Sequence, residues 1–115
     1  MLNKKYRLKK RKEFAYIYRV GKPTHTKYLT LVSTPTKLKD FKIGFSVSKK
    51  VGKAFARNLV KRRLTEIFKP LIDNLDSKFN YVIIAKAGCA ELSFEELSKE
   101  LHVLLCKCGH LNEDN

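Results

Sequence analysis

The chain has 115 residues, enough for one domain with one core and too few for two. Lysine and arginine number 25 against 11 aspartate and glutamate, and the resulting formal charge of +14 repels itself unless a polyanion covers it. With 43% apolar and 10% aromatic residues the composition excludes a disordered chain. No apolar stretch approaches the roughly 20 residues that span a bilayer, and no hydrophobic run with a cleavage site follows the basic start. The class expected is a soluble, cytoplasmic, polyanion-binding single domain over residues 1–115, with the ends, about 1–8 and 109–115, flexible.

Residues 9–20 (KKRKEFAYIYRV) predict a short basic helix, with Phe14, Ile17 and Tyr18 at i, i+3 and i+4 and Gly21 in the position of a C-cap. Residues 28–34 (YLTLVST) are β-branched and alternating, and residues 35–40 supply a turn. Residues 41–48 are the cleanest strand. Phe41, Ile43, Phe45 and Val47 point one way, while Lys42, Gly44, Ser46 and Ser48 point the other. These two strands are expected to form an antiparallel pair.

A basic loop at 49–53 (KKVGK) leads into a helix over 54–69. A step of 100° per residue places Ala56, Val60, Leu64, Ile67 and Phe68 on a core-facing arc, with Arg57, Asn58, Lys61 and Arg62 opposite. Pro70 ends this helix. The continuous apolar run 81–86 (YVIIAK) predicts a strand buried on both sides. Ser93 and Glu96 form a capping box for a last helix that carries Phe94, Leu97, Leu101, Leu104 and Leu105 at helical spacing. The order α-β-β-α-β-α predicts an α+β domain with helices packed on a small sheet.

The strongest functional signal is the second helix. Between residues 42 and 69 nine lysines or arginines face one acid, Glu66, which disfavours a neutral salt-bridged surface. A helix divided into an apolar and a cationic arc can dock on its own sheet while it presents rigid cations to phosphates. A second basic run, Lys4, Lys5, Arg7, Lys9, Lys10, Arg11 and Lys12, leads into Phe14, Tyr16 and Tyr18. Cations beside exposed rings suit single-stranded RNA, whose phosphates sit on charge and whose bases stack. The same rings could instead fasten the helix to the sheet. Gly44, Ser46 and Ser48 make either a face that an extended strand can approach or the solvent side of an edge strand.

Nothing in the sequence assembles a catalytic site. His25, His102 and His110 are scattered, no carboxylate pair is set to hold a metal, and no glycine-rich phosphate loop occurs. The three cysteines, Cys89, Cys106 and Cys108, are too few and too clustered for a disulfide framework. The Cys106-x-Cys108 pair, with His102 and His110 nearby, lacks a second ligand pair at zinc-finger spacing.

Residues 43–63, IGFSVSKKVGKAFARNLVKRR, resemble the bacterial ribonuclease P protein component. The matching residues are Ser46-Val47-Ser48-Lys49-Lys50, Gly52, Arg57-Asn58 and Lys61-Arg62, and the stretch from Leu8-Lys9-Lys10 through Glu13-Phe14 to Gly21 is similar to the family's opening helix. Leu59 and Thr65 depart from the pattern, each standing where a basic residue is expected. The resemblance implies a ribosomal-protein-like fold with a left-handed β-α-β crossover. It implies a protein subunit of an endoribonuclease whose catalyst is RNA, which uses magnesium to remove the 5′ leader of precursor tRNA. Carried onto this chain, it assigns Lys49, Lys50, Lys53, Arg57, Asn58, Lys61 and Arg62 to the catalytic RNA, and Phe14, Tyr18, Lys42 and Ser46 to the leader. It assigns no catalytic residue and no metal to the protein, and requires no membrane or further protein partner. The alternative is a ribosomal or general RNA-binding protein with no linked reaction.

Overall fold

The structure, a computed structural model, describes residues 4–110. Its central element is the apolar run expected to be buried on both sides, strand β4 (Phe79–Ala85). A strand with Val82 and Ile83 fully buried needs a neighbour on each edge and cover on each face, and it has all four. β2 (Leu29–Pro35) pairs antiparallel to one edge, and β3 (Ile43–Val47) pairs parallel to the other. The sheet order is β1-β2-β4-β3.

Two expectations are corrected here. β2 and β3 are not an antiparallel pair, because β4 lies between them and its apolar edges bond to both. The chain from β3 returns through helix α2 (Ala54–Phe68) to reach β4 in parallel, the crossover that a parallel pair requires. The element order also gains a strand, β1 (Lys22–His25), which pairs antiparallel with β2 at the sheet margin. Its sequence, KPTH, has no apolar alternation because one edge is unpaired and its side chains are mostly exposed.

Helix α1 (Arg11–Val20) lies on one face of the sheet. Ile17 is its buried contact, in a small cluster with Leu8, Val32 and Val82. Gly21 follows α1 as expected, but with φ −76° and ψ 160° it does not take the left-handed cap conformation. Close approach is what requires glycine there: a Cβ would lie 2.4 Å from both the Ile17 carbonyl oxygen and Val32 Cγ1.

The other face carries α2 and α3 (Phe94–Cys108). Val60, Leu64, Ile67 and Phe68 of α2 are buried with Leu97, Leu101, Leu104 and Leu105 of α3, whereas Ala56 is half-buried and Phe94 is exposed. The 3-10 turn Lys69–Asn74, with Pro70 in its first turn, ends α2. The capping box is present: Ser93 Oγ accepts from Glu96 N–H at 3.1 Å, and Glu96 Oε1 accepts from Ser93 N–H at 2.9 Å.

Of the ends expected to be flexible, 1–3 and 111–115 lie outside the described residues. Residues 6–8 pack on the fold: Leu8 is buried, its N–H donates to the Ile43 carbonyl at 2.9 Å, and Tyr6 lies tilted against Phe41 with ring centroids 5.3 Å apart. No helix among the described residues is long and apolar enough to cross a membrane.

Candidate RNA interface

The loop before α2 is built to project its lysines. Val51 is buried and anchors it, and its N–H donates to the Ser48 carbonyl at 3.1 Å while Gly52 N–H donates to that of Lys49 at 3.2 Å. Gly52 has φ +152°, which side-chain-bearing residues rarely adopt, and a Cβ there would lie 3.1 Å from Ala56 Cβ. Lys49, Lys50 and Lys53 are all exposed as a result. Lys53 is the N-cap of α2 and supplies no side-chain acceptor, and no acid occupies the first turn. The positive end of the helix therefore has no capping side chain or carboxylate of its own to offset it.

Along α2, burial of Val60, Leu64, Ile67 and Phe68 turns Asn58, Lys61 and Arg62 outward and leaves Arg57 half-buried. Arg57 Nε is enclosed and has no hydrogen-bond partner among the described residues. Among the described residues none of the six predicted cations, Lys49, Lys50, Lys53, Arg57, Lys61 and Arg62, is paired with a carboxylate. Glu66, the one acid on this helix, lies 3.9 Å from Lys69 instead. Arg63 is committed inward, donating from Nη1 to the Leu92 carbonyl at 2.6 Å, so it is not available as a replacement for the charge missing at Leu59. Thr65, the other departure, turns its hydroxyl back to the Lys61 carbonyl at 2.8 Å.

Between α1 and α2, along β3, runs an open cleft of about 880 Å³. Arg7, Lys9 and Phe14 line one wall, Asn58, Lys61, Arg62, Thr65 and Glu66 the other, and Ile43, Gly44 and Phe45 the floor. Phe14 reaches this position only because residue 44 has no side chain: a Cβ would lie 2.6 Å from the Phe14 ring. β3 thus does present one small face and one apolar face, with Phe45 packed on Phe68 at 5.8 Å on the core side.

The predicted leader residues are brought together unevenly. Phe14 lines the cleft, and Tyr18 lies tilted beside it at 6.3 Å with 44% of its surface exposed. Ser46, two residues beyond Gly44, lies on the same face of β3 at the register of Ile84. Lys42 is drawn off, with its ammonium donating to the Lys5 carbonyl at 2.6 Å, outside the cleft lining. Arg7 and Lys9 were not singled out for the cleft from the sequence. They reach it because an isolated parallel bridge joins Arg7 to Ile43, a pairing with no local signature.

The cysteine pair offers little to a metal. Cys106 is exposed and Cys108 half-buried, two residues apart on a helix and so not on one face. Burial pushes the Cys89 thiol up to about 11 and raises Cys108 also. Among the described residues no three His, Cys, Asp or Glu side chains converge.

Comparison with known proteins gives one consistent result. Residues 2–109 match the ribonuclease P family. A ribonuclease P protein component of Bacillus cereus is 40% identical over 101 residues, covering 87% of this chain and 88% of that protein. One from Geobacillus is 37% identical over 114 residues, covering 98% of each. The structure of the Staphylococcus aureus RNase P protein superposes with a TM-score of 0.87 at 28% identity, covering 93% of this chain and 98% of that one.

Proposed function

Because the chain belongs to the ribonuclease P protein family, we propose that it is the cytoplasmic protein subunit of a ribonucleoprotein that removes the 5′ leader of precursor tRNA. In this reading the loop 49–53 and the outer face of α2 hold the catalytic RNA, and the cleft beside α1 holds the leader. Phosphodiester hydrolysis is assigned to the RNA and its magnesium ions. The residues of this chain bind, neutralise and orient.

The observation that carries the reading is the shared cleft. Asn58, Lys61 and Arg62, expected at the catalytic RNA, line the same groove as Phe14, expected at the leader. A single strand laid along β3 would have phosphates near Arg7, Lys9, Lys61 and Arg62, and a base within reach of Phe14 and Tyr18. Each phosphate neutralised releases counterions, and cations arrayed on both walls lower the repulsion between leader and catalytic RNA. Rings accept any base by its face, which suits a leader of no fixed sequence. The subunit would therefore tighten precursor binding while leaving mature tRNA, which has no leader, little affected.

Reconstitution tests this directly. Labelled precursor tRNA is incubated at low magnesium and near-physiological salt with ribonuclease P RNA alone, this protein alone, and both. Efficient cleavage at the mature 5′ end by the combination only is the expected result. Tight RNA binding with no effect on cleavage would instead support the general RNA-binding alternative. Within the holoenzyme, Phe14→Ala should weaken precursor binding about fivefold to a hundredfold, the loss of one stacked base, with mature tRNA unchanged. Equal losses for both would make Phe14 a packing residue.

A further inference from the structure

Phe55 belongs to neither buried cluster among the described residues. It stands in the first turn of α2 with 73% of its surface exposed, more than any other large apolar side chain among the described residues. It makes no ring contact among them. Single exposed apolar side chains are ordinary, but the surroundings of this one are not. Lys53 is two residues before it, Lys49 and Lys50 lie in the preceding loop, and Asn58 and Arg62 follow at i+3 and i+7, on the same side of the helix. All of these are exposed. Half-buried Leu59, at i+4, continues the apolar strip one turn on, so the helix carries a greasy ridge inside its most cationic surface.

That combination selects its occupant. An apolar protein surface placed on Phe55 would have to desolvate five neighbouring polar or charged groups with no stated partner for them. A nucleic acid supplies phosphates for the cations and a flat apolar face for the ring. Paired bases hide their faces in the stack, so the face must come from an unpaired or helix-terminal base.

We propose that Phe55, backed by Leu59, is a stacking platform for an unpaired base of the catalytic RNA. It rests on the reading of α2 as the RNA interface and adds a contact that does not depend on charge. Salt dependence separates the two kinds of contact, because loss of a phosphate contact lowers the slope of log K against log salt while loss of a stack does not.

The test measures binding of ribonuclease P RNA across a salt series for the unaltered protein, Phe55→Ala, Phe55→Trp and Lys61→Ala. Thermal unfolding serves as a fold control, and Phe55 is exposed enough that Ala should leave it unchanged. Phe55→Ala should bind about tenfold more weakly at every salt with an unaltered slope, and Phe55→Trp should retain affinity. Lys61→Ala should lose about one unit of slope. If Phe55→Ala binds like the unaltered protein while Lys61→Ala is weakened, the platform is overturned and the interface stands. If neither changes, the reading of α2 as the interface falls as well. If the protein self-associates in sedimentation and Phe55→Ala abolishes that without weakening RNA binding, the ring is a contact between copies and the proposal is overturned.

Discussion

The two faces of the sheet are built to different standards. Under α2 and α3 lies a cluster of eighteen buried residues that runs from Leu29 to Leu105 and takes in Tyr81 and Phe68. Under α1 the buried apolar cluster is only Leu8, Ile17, Val32 and Val82, with Phe14 and Ile84 half-covered at the margin. One side therefore holds the fold together, and the other is thin enough for a ligand to reach the strands. The cationic arc of α2 connects them, because its apolar arc is fixed in the thick core while its outer side forms a wall of the cleft.

Truncation on each side should separate stability from binding. Leu64→Ala removes a fully buried side chain from the centre of the thick core and is expected to cost about 2–5 kcal/mol, a large part of a small domain's stability. The protein that remains folded should bind RNA normally. Ile17→Ala should fall near the lower end of that range, about 2 kcal/mol, since a single helix over a small cluster can settle into the space. It should nevertheless weaken precursor binding, because Ile17 sets the seat of the helix that carries Phe14 and Tyr18. Chemical denaturation and precursor titration read the two effects separately. Equal binding losses for both variants would erase the distinction between the faces.

A smaller change sharpens the contrast from the strand side. In Gly44→Ala the new methyl would lie 2.6 Å from the Phe14 ring, so the ring must move off the strand. The expected cost is about 1–3 kcal/mol, the usual range for overpacking. Its binding signature should copy that of Phe14→Ala, with precursor weakened and mature tRNA spared. A loss of stability with no change in precursor binding would detach the ring's position from the leader.

The thick side was far more legible in the sequence than the thin one. Helical periodicity from Ala56 to Phe68 and from Phe94 to Leu105 is a local signal, and the large core repeats it except at Ala56 and Phe94, the first position of each stripe. The capping box at Ser93 and Glu96 is local too. Strand order is not. The continuous apolar run of β4 announces a central strand, but which strands flank it depends on the length and path of α2, and no pattern in 28–48 carries that. The cleft depends on equally distant contacts: Arg7 bridges to Ile43, and Lys42 reaches Lys5 instead of the groove. Residue types on the cationic face were readable because nine basic residues against one acid is a compositional fact. Their shared wall with Phe14 became visible only in three dimensions.

The smallest expected effect lies on the thick side, where the chain just beyond α3 is fastened to the sheet. His110 sits against Phe79 and Tyr81, with ring centroids at 4.4 and 5.3 Å, and its Nε2 is hydrogen-bonded to Ser33 Oγ at 3.0 Å. Burial among these rings pulls its pKa below the ordinary value of 6.5, Asp76 opposes the shift, and Lys22 adds to it. The folded chain thus refuses a proton that the unfolded chain accepts. The stabilisation is complete above about pH 6.5, falls as the pH drops below that value, and is fully lost below the depressed folded pKa. Glu96, which its hydrogen bonds to Ser93 hold below the usual 4.5, begins to lose its own contribution only as the pH falls toward that value, in more acid solution than the onset for His110. Melting temperature followed from pH 8 to pH 5 should decline gently over the histidine window. His110→Phe, which keeps a ring against Phe79 and cannot titrate, should flatten that decline. A decline that survives the substitution would assign the pH response to another group and leave the His110 seam a purely structural fastening.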